Sequence, residues 1–183
     1  MNCKLILVLA FLLIFNVFKT YSQVNRKVII HADIGFLMGL QNDYLGEGIN
    51  AARIKIGASY LTSKNLSLGF NIGTDSYRNG GTSFNKYYNT LPINFVATRF
   101  FKPTLEGLFT DINLGYSIKV SNNFESGFNF GLGGGYNVPL SKKALIGFKT
   151  GYNFQEITDG KFSNNNFSGL NLSSIRLSIG LIF

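Results

Sequence analysis

From Gln23 onward the chain alternates. Apolar residues stand at every second position, with small or polar residues between them, in segment after segment. A period of two marks a β-strand whose two faces meet different surroundings. The last segment shows it most plainly. Ile175, Leu177, Ile179, Leu181 and Phe183 share one face, while Ser174, Arg176, Ser178, Gly180 and Ile182 share the other.

The alternating segments are Lys27 to Leu40, Ile49 to Leu61, Leu66 to Tyr77, Tyr88 to Phe101, Leu108 to Ile118, Gly127 to Leu140, Ala144 to Phe154 and Leu172 to Phe183. The spacing predicts eight strands. The fourth is the least regular, because Pro92 and Phe100 interrupt its pattern. A proline removes a ladder donor, so Pro92 is expected near a rim. Connections alternate in length. They are long after the first, third, fifth and seventh strands, and short at Thr62 to Asn65, Lys102 to Gly107 and Ser141 to Lys143. About 10 residues, rising ~3.3 Å each and tilted by about 45°, cover an outer-membrane core. Long loops at one end and short turns at the other match the asymmetry of barrels that cross such a membrane.

Composition decides which face meets lipid. Charged residues make up 14% of the chain, against about 25% in an ordinary soluble domain. The polar face is mostly Gly, Ser and Asn. A lipocalin-like barrel would turn its apolar face inward and carry many charges outside. Small polar residues suit a narrow interior instead, since eight strands leave room only for packed side chains. The 18 Phe and 9 Tyr suit an apolar outer band with aromatic girdles. The expected fold is all-β: an eight-stranded antiparallel up-and-down transmembrane β-barrel.

Met1 to Ser22 has the pattern of a secretory signal peptide, with Lys4, an apolar run from Leu5 to Phe18, and Thr20-Tyr21-Ser22 before Gln23. The apolar run is shorter than the ~20 residues a helical span needs. The expected domains are therefore a signal peptide over 1–22 and a barrel over 23–183, delivered to the cell outer membrane. Cys3 is the only cysteine. A mature chain without cysteine has no disulfide, zinc–thiolate site or Cys nucleophile. Setting aside Lys4 and Lys19 from the 17 basic residues leaves 15 against 9 acidic. Those basic residues are scattered, so nucleic acid is not an expected partner.

The Leu91-Pro92-Ile93-Asn94-Phe95 opening of the fourth strand, Gly131-Leu132-Gly133-Gly134-Gly135-Tyr136 and the terminal Phe183 resemble the bacterial outer-membrane β-barrel domain family of small OmpA/OmpX-like and PorT-like barrels. The resemblance covers the whole mature chain and specifies architecture rather than activity. It implies outer-membrane lipid and the barrel-assembly machinery as partners. The machinery would recognise the C-terminal signal Ile175, Leu177, Ile179, Leu181 and Phe183. Some members of this family serve protein secretion or surface adhesion.

Candidate sites fall in two places. One is a lumen charge cluster of Asp33, Arg53, Lys55, Asp111, Lys149 and Arg176. Buried charges need partners, and Asp33 is expected to pair with Arg176 or Lys55. The other is the long connections Gln41 to Glu47, Asp75 to Lys86, Val120 to Ser126 and Gln155 to Asn171, with Asp43, Glu47, Asp75, Glu125, Glu156 and Asp159. No loop has calcium-site spacing. His31 is the only histidine. A catalytic His31 with Ser59 as nucleophile lacks an acid-His-Ser grouping, and a neutral, hydrogen-bonded histidine is expected instead. No cofactor or metal is expected. The expected role is structural or adhesive through extracellular loops, without catalysis. The alternative is a transport component, either a narrow pore or an accessory barrel of a protein secretion system.

Overall fold

The computed structural model describes residues 27–40, 49–79, 87–120, 127–141, 143–157 and 170–183. Eight strands run through them: β1 (Val28–Gly39), β2 (Ile49–Ser63), β3 (Leu66–Asn79), β4 (Tyr87–Phe100), β5 (Gly107–Lys119), β6 (Gly127–Ser141), β7 (Ala144–Ile157) and β8 (Leu170–Ile182). Each pairs antiparallel with the next in chain order, and β8 pairs with β1, closing the sheet into a barrel. The observed architecture is the expected eight-stranded antiparallel up-and-down barrel. Closure removes the sheet edges that would otherwise expose unpaired backbone groups. At the seam the Ile30 N–H donates to the Phe183 carbonyl at 3.1 Å, and the Phe183 N–H donates to the Ile30 carbonyl at 2.8 Å. The last residue is thus part of the ladder.

Several strands run further than the apolar pattern suggests. β3 continues past Tyr77 to Asn79 and β7 past Phe154 to Ile157. The alternation persists there in polar residues, with Gln155 buried inward and Glu156 facing outward. Pro92 corrects its expected place. It lies inside β4, fully buried, opposite Ser117 of β5 rather than at a rim. The β3–β4 ladder passes from Ile72↔Ile93 to Asp75↔Thr90 without pairs between. The missing proline donor is absorbed by a local gap that leaves the register unchanged.

The two faces differ as lipid and a packed lumen require. Ile34, Ile54, Phe70, Leu114, Leu132, Phe148 and Leu177 are among the large apolar residues exposed outside, Phe70 at 63%. Tyr60 and Tyr136 sit toward the short-turn ends of β2 and β6, and Tyr116 and Tyr152 toward the loop ends of β5 and β7. Among the described residues, outward charges occur only toward the rims, at Arg78, Arg99 and Glu156. This is the reverse of a lipocalin-like carrier.

The inward core has three levels. At the short-turn end Ile29, Phe100, Phe109 and Ile182 are buried together, with Leu61, Leu105 and Leu145 packed against them. Leu105 adopts a positive φ of 65°, an uncommon conformation for a non-glycine residue. That turn sets Leu105 against the cluster, and its carbonyl accepts a 2.8 Å hydrogen bond from the Asn137 side chain. At the loop end Leu37, Ile49, Ala51, Tyr77 and Leu172 form a second buried apolar cluster. Polar and charged side chains fill the space between. The strand ends flanking the long connections, after β1, β3, β5 and β7, lie at one end of the barrel. The tight ones at 64–65, 101–106 and 142–143 share the other end with the start of β1 and the end of β8.

Candidate functional site

The inward positions of β1, β2, β3, β5, β7 and β8 bring seven charged side chains to the middle of the lumen. Three ion pairs join six of them. Arg53 donates to both Asp75 oxygens, from Nε at 2.7 Å and Nη2 at 2.6 Å, and Nη2 also donates to Asn153 Oδ1 at 2.9 Å. Lys149 donates to Asp33 at 3.0 Å. Arg176 Nη2 lies 2.8 Å from both oxygens of Asp111. Such pairs stay charged away from water only because each carboxylate has a donor at hydrogen-bond distance.

Register explains the partner choice and corrects the expected pairing of Asp33 with Arg176 or Lys55. Arg53 stands directly opposite Asp75. Arg176 instead lies in one row with Gly151, Gly133 and Asp111 across β8, β7, β6 and β5. Two glycines in that row leave a path for the guanidinium. A Cβ on Gly133 would collide with Arg176 Nη2 and the Thr150 carbonyl. Asp33 is level with Gly180 of β8, and a Cβ there would meet the Asp33 side chain at 2.9 Å. That bare position lets Lys149 of β7 reach Asp33 past β8. Lys55 is opposite Asp33 in the β1–β2 register, yet it forms none of the three pairs.

A cavity of about 50 Å³ remains in this layer, lined by His31, Asp33, Arg53, Lys55, Asp111, Lys149 and Arg176 among others. His31 is half-buried there and makes no hydrogen bond with Ser59. A general base needs hydrogen-bond reach of its nucleophile, and these two side chains lack it. Among the described residues, no group of three or more His, Cys, Asp or Glu could hold a metal ion.

The loop candidates divide. Asp75 belongs to the lumen, not to a loop, and Tyr77 beyond it is fully buried. Glu156 lies in β7 and accepts the Phe128 N–H at 3.1 Å across the β6–β7 rim. Asp43, Glu47, Glu125 and Asp159 lie outside the described residues. Reasoning from alternation missed the inward polar layer nearest the loops. There Ser117 donates to Gln155 at 2.6 Å and accepts from Asn129 at 3.1 Å. The signal for it was the unbroken period of two through Asn153 and Gln155 once polar residues are counted. Ile175, Leu177, Ile179, Leu181 and Phe183 lie exposed on the outer face of the closing strand.

No protein-family model matches the chain, and no curated protein matches it in sequence. Solved structures do. Neisserial surface protein A aligns with a TM-score of 0.59 at 16% identity, over 85% of this chain and 96% of its own. The fold is that of a small outer-membrane barrel. The outer membrane protein OprG from Pseudomonas aeruginosa aligns at 0.46 and 12% identity, over 85% and 95% of the two chains. The outer membrane enzyme PagL aligns at 0.42 and 11%, over 83% and 97%.

Proposed function

We propose that the chain is an integral outer-membrane barrel with a sealed lumen, which anchors its long connections at the cell surface in a structural or adhesive role without catalysis. The observation that carries this is the lumen itself. An apolar cluster closes it at the short-turn end, an apolar cluster together with the hydrogen-bonded Ser117, Asn129 and Gln155 closes it toward the loops, and three ion pairs cross between them around a cavity of only about 50 Å³. The charge-free outer band supports a membrane setting. The signal-peptide pattern of Met1 to Ser22 and the likeness to small OmpA/OmpX-like and PorT-like barrels support export to the outer membrane. The outward apolar row Ile175, Leu177, Ile179, Leu181 and Phe183 suits recognition by the assembly machinery. Loops on a rigid scaffold are where binding usually resides, so an extracellular ligand or a secretion-system partner would meet the chain there.

Purified barrels reconstituted in planar bilayers test the sealed lumen. The expected record has no stable conductance steps, for the wild type and at either polarity. Reproducible unitary steps would favour the alternative, a narrow pore or an accessory barrel of a secretion system.

A further inference from the structure

Among the described residues, the lumen holds one cation more than its carboxylates can neutralise. Asp33, Asp75 and Asp111 are each engaged by a different base. Lys55 is left over: at 4% exposure it forms no ion pair or hydrogen bond with a described residue and feels Asp75 and Asp33 only at longer range. It lines the central cavity beside Arg53 and Arg176. Each of those guanidiniums also keeps a buried nitrogen without an acceptor, Nη1 of Arg53 and Nε of Arg176. Unmatched buried charge and unmet donors are both costly. The two guanidinium nitrogens are closed off from any water-sized space, so they add positive charge beside the cavity rather than donors into it.

We propose that this cavity is a binding site for a small monovalent inorganic anion of halide size, held by Lys55 in the positive field of Arg53 and Arg176. The charge count calls for one negative charge. Room for one water-sized sphere takes about 10–15 Å³, so the cavity admits a halide with a water or two and excludes a lipid headgroup. The packed, buried layers above and below make it a resident ion, taken up as the barrel closes, rather than one in transit. The site is independent of whether the loops bind anything.

Bromide is the probe. The barrel is refolded in detergent in sodium gluconate with increasing bromide at fixed ionic strength, and its folded-to-unfolded ratio is read by urea titration. Once bromide saturates the site, each tenfold increase should raise that ratio roughly tenfold, as mass action requires for a ligand of the folded state. Lys55→Met should abolish the dependence, and in gluconate alone it should be at least as stable as the wild type. A bromide-soaked wild-type crystal gives a second measurement that needs no variant, with an anomalous peak expected within contact distance of Lys55 Nζ. A wild type indifferent to bromide, a Lys55→Met barrel with undiminished dependence, or a crystal without the peak would each overturn the proposal. Conductance steps would overturn the sealed lumen instead, so the two failures are distinguishable.

Discussion

Arg53→Met should be among the most damaging single substitutions in this barrel, lowering unfolding stability by about 3–5 kcal/mol. Asp75, at 0% exposure, would lose both bonds from the guanidinium, and Asn153 would lose its donor. Among the described residues no other side chain hydrogen-bonds Asp75, so its charge would be left to the longer-range attraction of Lys55 alone. Removing one partner of a buried pair costs more than the pair is worth, because the survivor keeps its full desolvation penalty. The double variant Arg53→Met with Asp75→Leu removes both charges and should recover most of the loss. Urea unfolding of the three proteins in detergent measures it. A single variant as stable as the wild type would mean that Asp75 finds water or another partner, and that the lumen is wetter than its packing indicates.

The second large effect lies on the other face. Leu114 is near the middle of β5, points outward and is 44% exposed. Were that face in water, Leu114→Arg would be an ordinary surface change worth within ±0.5 kcal/mol. Facing hydrocarbon, an arginine near the midplane of a barrel costs about 2–4 kcal/mol. A second substitution, Thr62→Arg, at an exposed site in the short-turn end of β2, should cost about 0–1 kcal/mol, because the penalty fades near the interface. Unfolding in lipid vesicles compares the two positions. The difference between them carries the argument, since both add the same side chain.

The strands and their two faces were legible in the sequence because each environment acts locally. Lipid on one side and a crowded lumen on the other impose a period of two that Ile175 to Phe183 or Ile112 to Ile118 display residue by residue. Strand ends were less legible where both faces turn polar. Asp75 reads as a loop residue because Thr74 and Ser76 on the outer face no longer look lipid-facing, although Gly73, Asp75 and Tyr77 keep the inward alternation. The ion pairs were not legible at all, because they depend on register around the whole barrel. Arg176 meets Asp111 from 65 positions away by way of Gly133 and Gly151, and only closure puts those four in one row. The need of a buried charge for a partner does not choose among the lumen cations, and β8 enters the seam with Gly180, not Arg176, beside Asp33. Pro92 misled for a related reason. A proline is excluded from a ladder only if the neighbour needs its donor, and β3 skips the pairs at Gly73 and Thr74.

The central claim is a closed barrel whose apolar face requires lipid or detergent. The most direct measurement is electrophoretic mobility in SDS of the segment Gln23 to Phe183, refolded in detergent, with and without boiling. A closed ladder with no free edge resists SDS until heated, so the unboiled protein should run as a distinct band that shifts to the unfolded position on boiling. A single unchanged band, from protein that also stays dispersed without detergent, would contradict the account and turn the apolar face inward.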